Sequence, residues 1–358
     1  MEIWARLFTR LTIAAPLRES APPGDCPPFL AGNIEVYPMR ETGGRGLGAK
    51  LLQLILAPGL ALRLARQMTR HDAVHVRCPG NLGLLGALLA PLFARRMIAK
   101  YAGQWDGYPG EAWSCRLQRR LLGSRWWRGP ALVYGEWPGA APHITPFFNS
   151  AMTRAQLERA ALAALRPRGG DGPRRLLFVG RLSKAKGADL AIECCGLLRA
   201  QGCEAELDII GEGPERQNLE AMAEQPALRG HVRLHGGLGF EEVLRFYETA
   251  DVLLLPSETE GWPKALAEAM AFGVPCVAAD RGLNPWMLGE GRGLTAPREA
   301  AAFAEAARRL LEEPREERER RRRACAAWGQ RLSLEDVEEG LRAAMERAWG
   351  VRLAGGGA

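Results

Sequence analysis

The sequence predicts an α/β protein made of two Rossmann-like domains that face one another across a cleft. Three observations carry this reading. Residues 176–280 alternate short apolar runs with stretches of helical periodicity, the pattern of βαβ units wound around a parallel sheet. Glycine closes the predicted turns at 180, 202, 211 and 236. The chain has 358 residues, 47% hydrophobic and 25% charged, enough for two domains of average composition. That composition excludes disordered, collagen-like and coiled-coil chains.

In chain order, the first ten residues read as a helix. Strand candidates follow at 11–17, 33–39, 73–78, 97–102 and 131–135, with helices at 48–68 and 81–96. Residues 159–175 have the Pro/Gly/Arg content of an interdomain linker. The second half gives strands at 176–180, 205–211, 231–236, 251–256 and 274–280. Helices at 188–202, 215–225, 240–250 and 263–273 separate them. The charge run 312–328 suits a solvated helix with i,i+4 pairs. Ser333 is placed to N-cap a last helix reaching about 349, and 355–358 should fray. The domains expected are 1–165, 174–325 and a carboxy-terminal helix over 326–350. Ligands in such sheets bind beyond the carboxyl ends of the strands, so the cleft between the domains is the expected site.

The longest nearly apolar stretches, 51–62 and 81–93, each contain a proline and fall short of the roughly 18–20 residues of a spanning helix. A polytopic membrane protein is therefore excluded, and the charged start offers no signal peptide. Eight cysteines without a CxxC pair predict reduced, buried thiols and a cytoplasmic protein. The pairs His71/His75 and His231/His235 run into strands and lack a third ligand, which speaks against zinc. Residues 1–150 hold 18 Lys/Arg against 9 Asp/Glu, while 151–358 hold 30 against 32. The basic half suits an anionic partner: a phosphorylated acceptor, or an anionic membrane met peripherally at its inner face. Scattered arginines without a recognition module do not suit nucleic acid.

Three pieces of the second half carry chemistry. In VGRLSKAKG (179–187), Gly180 ends a strand, and Arg181 and Lys186 straddle a loop that enters a helix. Two cations beside a helix amino terminus make a diphosphate clamp. In IIGEGPE (209–215), Gly211 and Gly213 allow a sharp turn and Pro214 can start a helix; such a loop could hold a nucleobase edge. In SETEGWPKALAEAMAFGVP (257–275), Pro263 fits the first helical position. Glu260 then lies in the loop and Glu268 inside the helix, framing the amides of Gly261, Trp262, Pro263, Lys264 and Ala265. Each piece also has a bland reading as a surface cation, a tight turn or a solvent-facing glutamate.

In that order and spacing, GRLxxxKG, GEGP and ADVLLLPSxxEGWPKALAEAMAxGVPCVA resemble the family 4 retaining glycosyltransferases with the GT-B fold, over about 174–312. The first half resembles them in architecture only. The resemblance implies that residues 1–165 form the acceptor side and 174–325 bind the nucleotide-sugar donor. It implies that Arg181 and Lys186 bind the donor diphosphate and that Glu268 bonds the ribose hydroxyls. Glu260 and the amides of 261–265 would bind the donor sugar. Gly211, Gly213, Pro214 and the turn at His235, Gly236 and Gly237 would wall the base pocket. No metal or other cofactor is implied, in keeping with the lack of an Asp-x-Asp motif. The acceptor expected is a glycan or lipid-linked hydroxyl in cell-surface polysaccharide or glycolipid assembly.

Two features depart from the family pattern. The stretch 98–106 carries no histidine, leaving Tyr101, Gln104, Trp105 or Asp106 to face an acceptor. The usual first strand and glycine-rich loop are missing from the start. That favours, as the alternative, a truncated or non-catalytic nucleotide-sugar-binding member. A nicotinamide dehydrogenase would need a G-x-G-x-x-G turn, which is absent. An epimerase or phosphorylase would hydrolyse donor or need pyridoxal phosphate. Trp105, Tyr108, Trp113, Trp126, Trp127 and Trp137 fall within 33 residues, suited to sugar stacking or to core packing.

Overall fold

A computed structural model describes residues 2–17, 28–42, 44, 46–108, 110–168, 172–331 and 333–353. The chain divides into two compact units, Met1–Phe148 with Glu338–Ala358, and Asn149–Val337.

Unit 1 opens with α1 (Glu2–Leu7), β1 (Leu11–Pro16) and β2 (Ile34–Met39). It continues with α2 (Leu47–Arg70), β3 (Val74–Cys78), α3 (Asn81–Phe93) and β4 (Met97–Tyr101), then α4 (Trp113–Gly123), β5 (Ala131–Tyr134) and β6 (Ile144–Phe147). All its strand pairings are parallel, but they form two sheets: β1 with β2, and β3-β4-β5-β6. The core gathers Leu60, Leu64 and Met68 of α2 with Val76, Ala99, Trp127 and Val133. The sequence reading lacked α4 and β6. Both are short, and β6 contains Pro146, which it accommodates at the sheet edge.

Unit 2 contains α5 (Arg154–Ala164), β7 (Arg174–Val179), α6 (Ala188–Ala200), β8 (Ala205–Ile210), α7 (Arg216–Ala223), β9 (Val232–Gly236) and α8 (Phe240–Thr249). It goes on with β10 (Val252–Leu255), α9 (Lys264–Ala271), β11 (Cys276–Ala279), α10 (Asn284–Leu288), β12 (Gly293–Ala296), α11 (Ala300–Leu311) and α12 (Arg315–Gly329). Its sheet is wholly parallel, in the order β12-β11-β10-β7-β8-β9. The order reverses between β10 and β7, which makes that junction the switch point where such sheets bind ligands. Leu176, Phe178, Leu207, Ile209, Leu254 and Val277 fill its core.

The boundary lies at 148/149, not at 165–174. Residues 154–164 are helix rather than linker because Thr153 and Gln156 form a capping box, Thr153 Oγ1 accepting from Gln156 N at 3.3 Å and Gln156 Oε1 from Thr153 N at 2.8 Å. Arg159 of α5 then pairs with Glu248 of α8 at 2.6 Å. The half-buried Arg168 donates to the carbonyls of Ala250, Tyr247 and Phe272. α13 (Leu334–Trp349) is capped by Ser333 as the sequence predicts, with Asp336 N donating to Ser333 Oγ at 3.0 Å. It is the carboxy-terminal helix expected within 326–350, and from Glu338 onward it belongs to unit 1.

α12 is not simply a solvated helix. Arg322 is 2% exposed and donates to the carbonyls of Ala164 and Arg166, and Cys325, Ala326 and Trp328 are buried beside it. The charge run hides an inward face whose period the arginines mask. Seven cysteines are described and free; five are buried, and Cys115 and Cys203 are half-buried. Burial pushes the Cys78, Cys195 and Cys325 thiols up to about 12. Cys26 and the residues at 355–358 lie outside the described residues.

Candidate functional site: the strand ends of the second unit

The loops after β7, β8, β9 and β10 are stitched together by backbone bonds. Gly180 N donates to Ile210 O at 3.0 Å, and Gly211 N to Gly236 O at 2.8 Å. Gly211 sits at φ +144°, and a Cβ there would stand 1.9 Å from Gly180 O. Only glycine permits so close an approach of the two strand ends. Gly213 lies against Leu182, whose N donates to Glu212 O at 2.9 Å. Gly187, at φ +73°, lets α6 start against β10; its Cβ would lie 2.7 Å from Pro256 O. Glu258 N donates to Ala185 O at 2.7 Å, so the loops 181–187 and 256–260 touch directly.

That contact brings the charges together. Lys186 Nζ donates to Glu260 Oε1 at 2.5 Å, with both side chains largely shielded from solvent. The sequence reading gave these residues separate ligands, diphosphate and sugar; in the structure each is the other's partner. Arg181 is exposed, and its guanidinium has no partner among the described residues. Of the two predicted clamp cations, Arg181 is thus unpaired among the described residues and Lys186 is paired with a carboxylate. At α9, Pro263 occupies the N-cap and the helix begins at Lys264, one residue later than predicted. Leu266 and Ala267 amides bond Pro263 O, whereas those of Gly261, Lys264 and Ala265 donate to nothing among the described residues. They are the free amide ring of a helix amino terminus.

Four predicted residues stand differently. Trp262 is buried and stacks on Trp328 of α12, centroids 6.1 Å apart, so only its backbone lies in the loop. His235 Nε2 lies 2.6 Å from Asp208 Oδ1 and its ring packs on Phe246, which commits the imidazole to the sheet face; the turn at Gly236 and Gly237 is left to the loop. Pro214 precedes α7 by two residues instead of starting it. Glu268 is 8% exposed and accepts from Tyr247 Oη at 3.0 Å on Oε2. Burial pushes its carboxyl above the ordinary range, against the pull of the Tyr247 bond and Lys264. Glu268 is one of the residues lining a small cavity of about 10 Å³, with Asn149, Ser150, Met152 and Lys264.

Sequence reasoning missed Asp208, Tyr247 and Arg298. Arg298 Nε donates to Pro256 O at 2.9 Å and Nη2 to Lys184 O at 2.7 Å, fastening the loop of Arg181 and Lys186 to the loop of Glu260. Nothing local marks it. Asp208 could have been noticed as the one carboxylate in the apolar end of the run AELDII.

In unit 1, Tyr101 is buried with its phenol pushed up by burial, and Trp105 packs edge-on against it. Gln104 is buried and donates to Gly107 O. These three build the core, and of the four acceptor candidates Asp106 alone is exposed. Trp127 is 1% exposed and Trp137 is bonded to Tyr134 O, whereas Trp113 is 70% exposed. The histidines disperse: His71 bonds Gln67 O and Thr12 Oγ1, and His231 meets Arg199. Among the described residues no three His, Cys, Asp or Glu side chains converge.

The fold is that of the GT-B glycosyltransferases. Sucrose-phosphate synthase from Thermosynechococcus elongatus superposes with a TM-score of 0.67 at 18% identity, covering 95% of this chain and 89% of its own. The Anabaena protein HepE, solved with UDP and glucose, gives 0.63 at 16% identity, covering 88% and 86%. More particularly, residues 167–328 match the family of glycosyl transferases group 1. The amylovoran biosynthesis glycosyltransferase AmsK of Erwinia amylovora is 39% identical over 122 residues, 32% of this chain and 30% of that protein. The GDP-mannose-dependent alpha-(1-6)-phosphatidylinositol monomannoside mannosyltransferase of Mycolicibacterium smegmatis is 31% identical over 260 residues, 66% of each. The chain thus spans between about a third and two thirds of these relatives' length.

Proposed function

We propose that the protein is a retaining, hexosyl-type glycosyltransferase of family 4 that moves a sugar from a nucleotide-diphosphate sugar to an acceptor hydroxyl. Its place is the assembly of a cell-surface polysaccharide or glycolipid. The observation that carries the reading is the meeting of Arg181, Lys186, Glu260 and the amides of Gly261, Lys264 and Ala265 in loops joined at the sheet's switch point. The names of the relatives, one a polysaccharide enzyme and one a GDP-mannose-dependent lipid mannosyltransferase, support it.

A donor diphosphate arriving at the loops meets Arg181 directly. It also competes with Glu260 for Lys186, and a doubly charged group outbids one carboxylate. Glu260, released, is free to accept from sugar hydroxyls. Glu268, with Oε2 held by Tyr247, presents Oε1 to the ribose. The acceptor oxygen attacks the anomeric carbon on the face the diphosphate leaves, the carbon–oxygen bond to phosphate breaks, and the acceptor proton passes to a departing phosphate oxygen. Charge growing on that oxygen is met by Arg181, Lys186 and the helix amino terminus. No metal ion is required in this scheme.

The test is thermal stability of the whole chain with UDP, GDP and their sugars in EDTA, since a ligand of the folded state raises its melting temperature. Transfer to a panel of glycan and lipid acceptors follows, with the anomeric configuration of the product read by NMR. A shift with one nucleoside diphosphate and a retained configuration support the proposal. Inversion removes retention, and no shift with any nucleotide removes the donor site.

A further inference from the structure

Helix α2 turns an apolar face to solvent. Between Lys50 and Arg63 it has no charged residue and one polar one, Gln53. Leu51, Leu52, Leu54, Ile55 and Leu62 are 48–73% exposed. A soluble protein rarely leaves such aliphatics contiguous on one helix. The segment 51–62, read from sequence as too short to span, is part of a longer helix; by length and composition Gly48–Arg70 could cross a membrane, and only 11% of its apolar window is buried.

The other side of the helix argues against crossing. Leu60, Leu64 and Met68, at i,i+4 spacing, are at most 7% exposed and belong to the unit 1 core with Val76 and Trp127. Pulling α2 into a bilayer would expose that core. At about 100° per residue, Leu51, Ile55, Pro58 and Leu62 form one outward ridge, and Arg66 and Arg70 continue it. Both arginines are exposed, as is Lys50 at the opposite end. The ridge therefore changes along its length from aliphatic to cationic, within a half of the chain whose 18 basic residues exceed its 9 acidic ones.

We infer that α2 is the surface by which the protein docks on an anionic lipid bilayer, lying in the plane of the interface. The aliphatic half enters the acyl boundary, and Lys50, Arg66 and Arg70 meet lipid phosphates. A second copy of the chain would bury the leucines equally well, but it would set the same cations of two like-charged halves near each other. An anionic surface satisfies both halves of the ridge. This inference is independent of the glycosyl-transfer reading.

Flotation of the full chain with vesicles tests it, using phosphatidylcholine alone and phosphatidylcholine mixed with phosphatidylglycerol. The protein should float with the mixed vesicles, less at high salt, and hardly with the neutral ones. The double variant Leu54→Ser/Ile55→Ser should bind at least about tenfold more weakly. Both positions are two-thirds or more exposed, so its circular dichroism and melting temperature should match the wild type. Arg66→Glu/Arg70→Glu should lose the preference for anionic lipid. The inference fails if the wild type floats with neither vesicle, or if the serine variant binds as tightly as the wild type. It also fails if the wild type is a dimer in solution that the serine variant dissolves.

Discussion

The two units place their side chains by different rules. In unit 2, cations drawn inward are tied to backbone carbonyls: the half-buried Arg168 to three, the buried Arg322 to two, and the buried Arg292 to Met287 and Trp286 while its guanidinium lies over Trp328. Against that background Arg181 is exposed and has no partner among the described residues, beside a loop lysine paired to Glu260; under the proposed function this is where the donor diphosphate would bind. In unit 1 the exceptional feature is aliphatic: α2 presents leucines to solvent. An exposed arginine needs no protein partner, so Arg181 is singled out by its place in the loop of the Lys186–Glu260 pair, whereas unit 1 is singled out by the exposed apolar stripe of α2.

The strongest way to break this contrast is Arg181→Ala and Lys186→Ala. If both cations stabilise charge on the departing diphosphate, each change should lower kcat by about 10²-fold and raise the donor KM less. Steady-state kinetics on the same donor decide it. Near wild-type kcat in both would reduce unit 2 to a scaffold and favour a non-catalytic binder.

Glu268→Ala comes next. A lost charged hydrogen bond to ribose should weaken nucleoside diphosphate binding by about 1.5–3 kcal/mol. Calorimetry showing unchanged affinity with an intact fold would take Glu268 out of the site.

A third experiment concerns unit 1 alone. His75 Nε2 is enclosed without a hydrogen bond, under the ring of Trp4 at 4.1 Å, and burial pushes its imidazole down to about 3. The folded state therefore refuses a proton that the unfolded state accepts below about 6.5. Stability present above 6.5 should be lost as pH falls toward 3, by up to about 1.4 kcal/mol per pH unit. Denaturant titrations at several pH values should show this slope, and His75→Phe should flatten it.

Glu268 gives the opposite sign, and a smaller effect. Its folded carboxyl is raised by burial, so ionisation disfavours folding. Stability should decline as pH rises above the ordinary value of 4.5. Glu268→Gln, which still accepts from Tyr247, should melt higher than the wild type at neutral pH, with the gap closing toward pH 4.5. A lower melting point at neutral pH would mean that Lys264 and Tyr247 outweigh burial. The smallest effect expected is that of EDTA, which should leave transfer rates unchanged; restoration of a lost rate by magnesium or manganese would contradict the metal-free scheme.

Much of unit 2 was legible in the linear sequence. Its strands and helices alternate with clean period changes; Arg181 and Lys186 lie in the loop after β7, Glu260 in the loop after β10, and Glu268 in the helix that follows. Local backbone geometry carries such information, because the turn after a parallel strand and the first turn of the next helix depend on neighbours in the chain. Tertiary structure decided the rest. It made Lys186 and Glu260 partners across 74 residues, bent Glu268 toward Tyr247, and turned Trp262 onto Trp328. It also moved α5 into unit 2 and hid one face of a helix that reads as wholly charged. Pairings of this kind depend on which elements pack together, and burial then selects the partner a polar group must have. A sequence shows that α2 is apolar; only the packed structure shows that the core takes one stripe of it and leaves the other exposed.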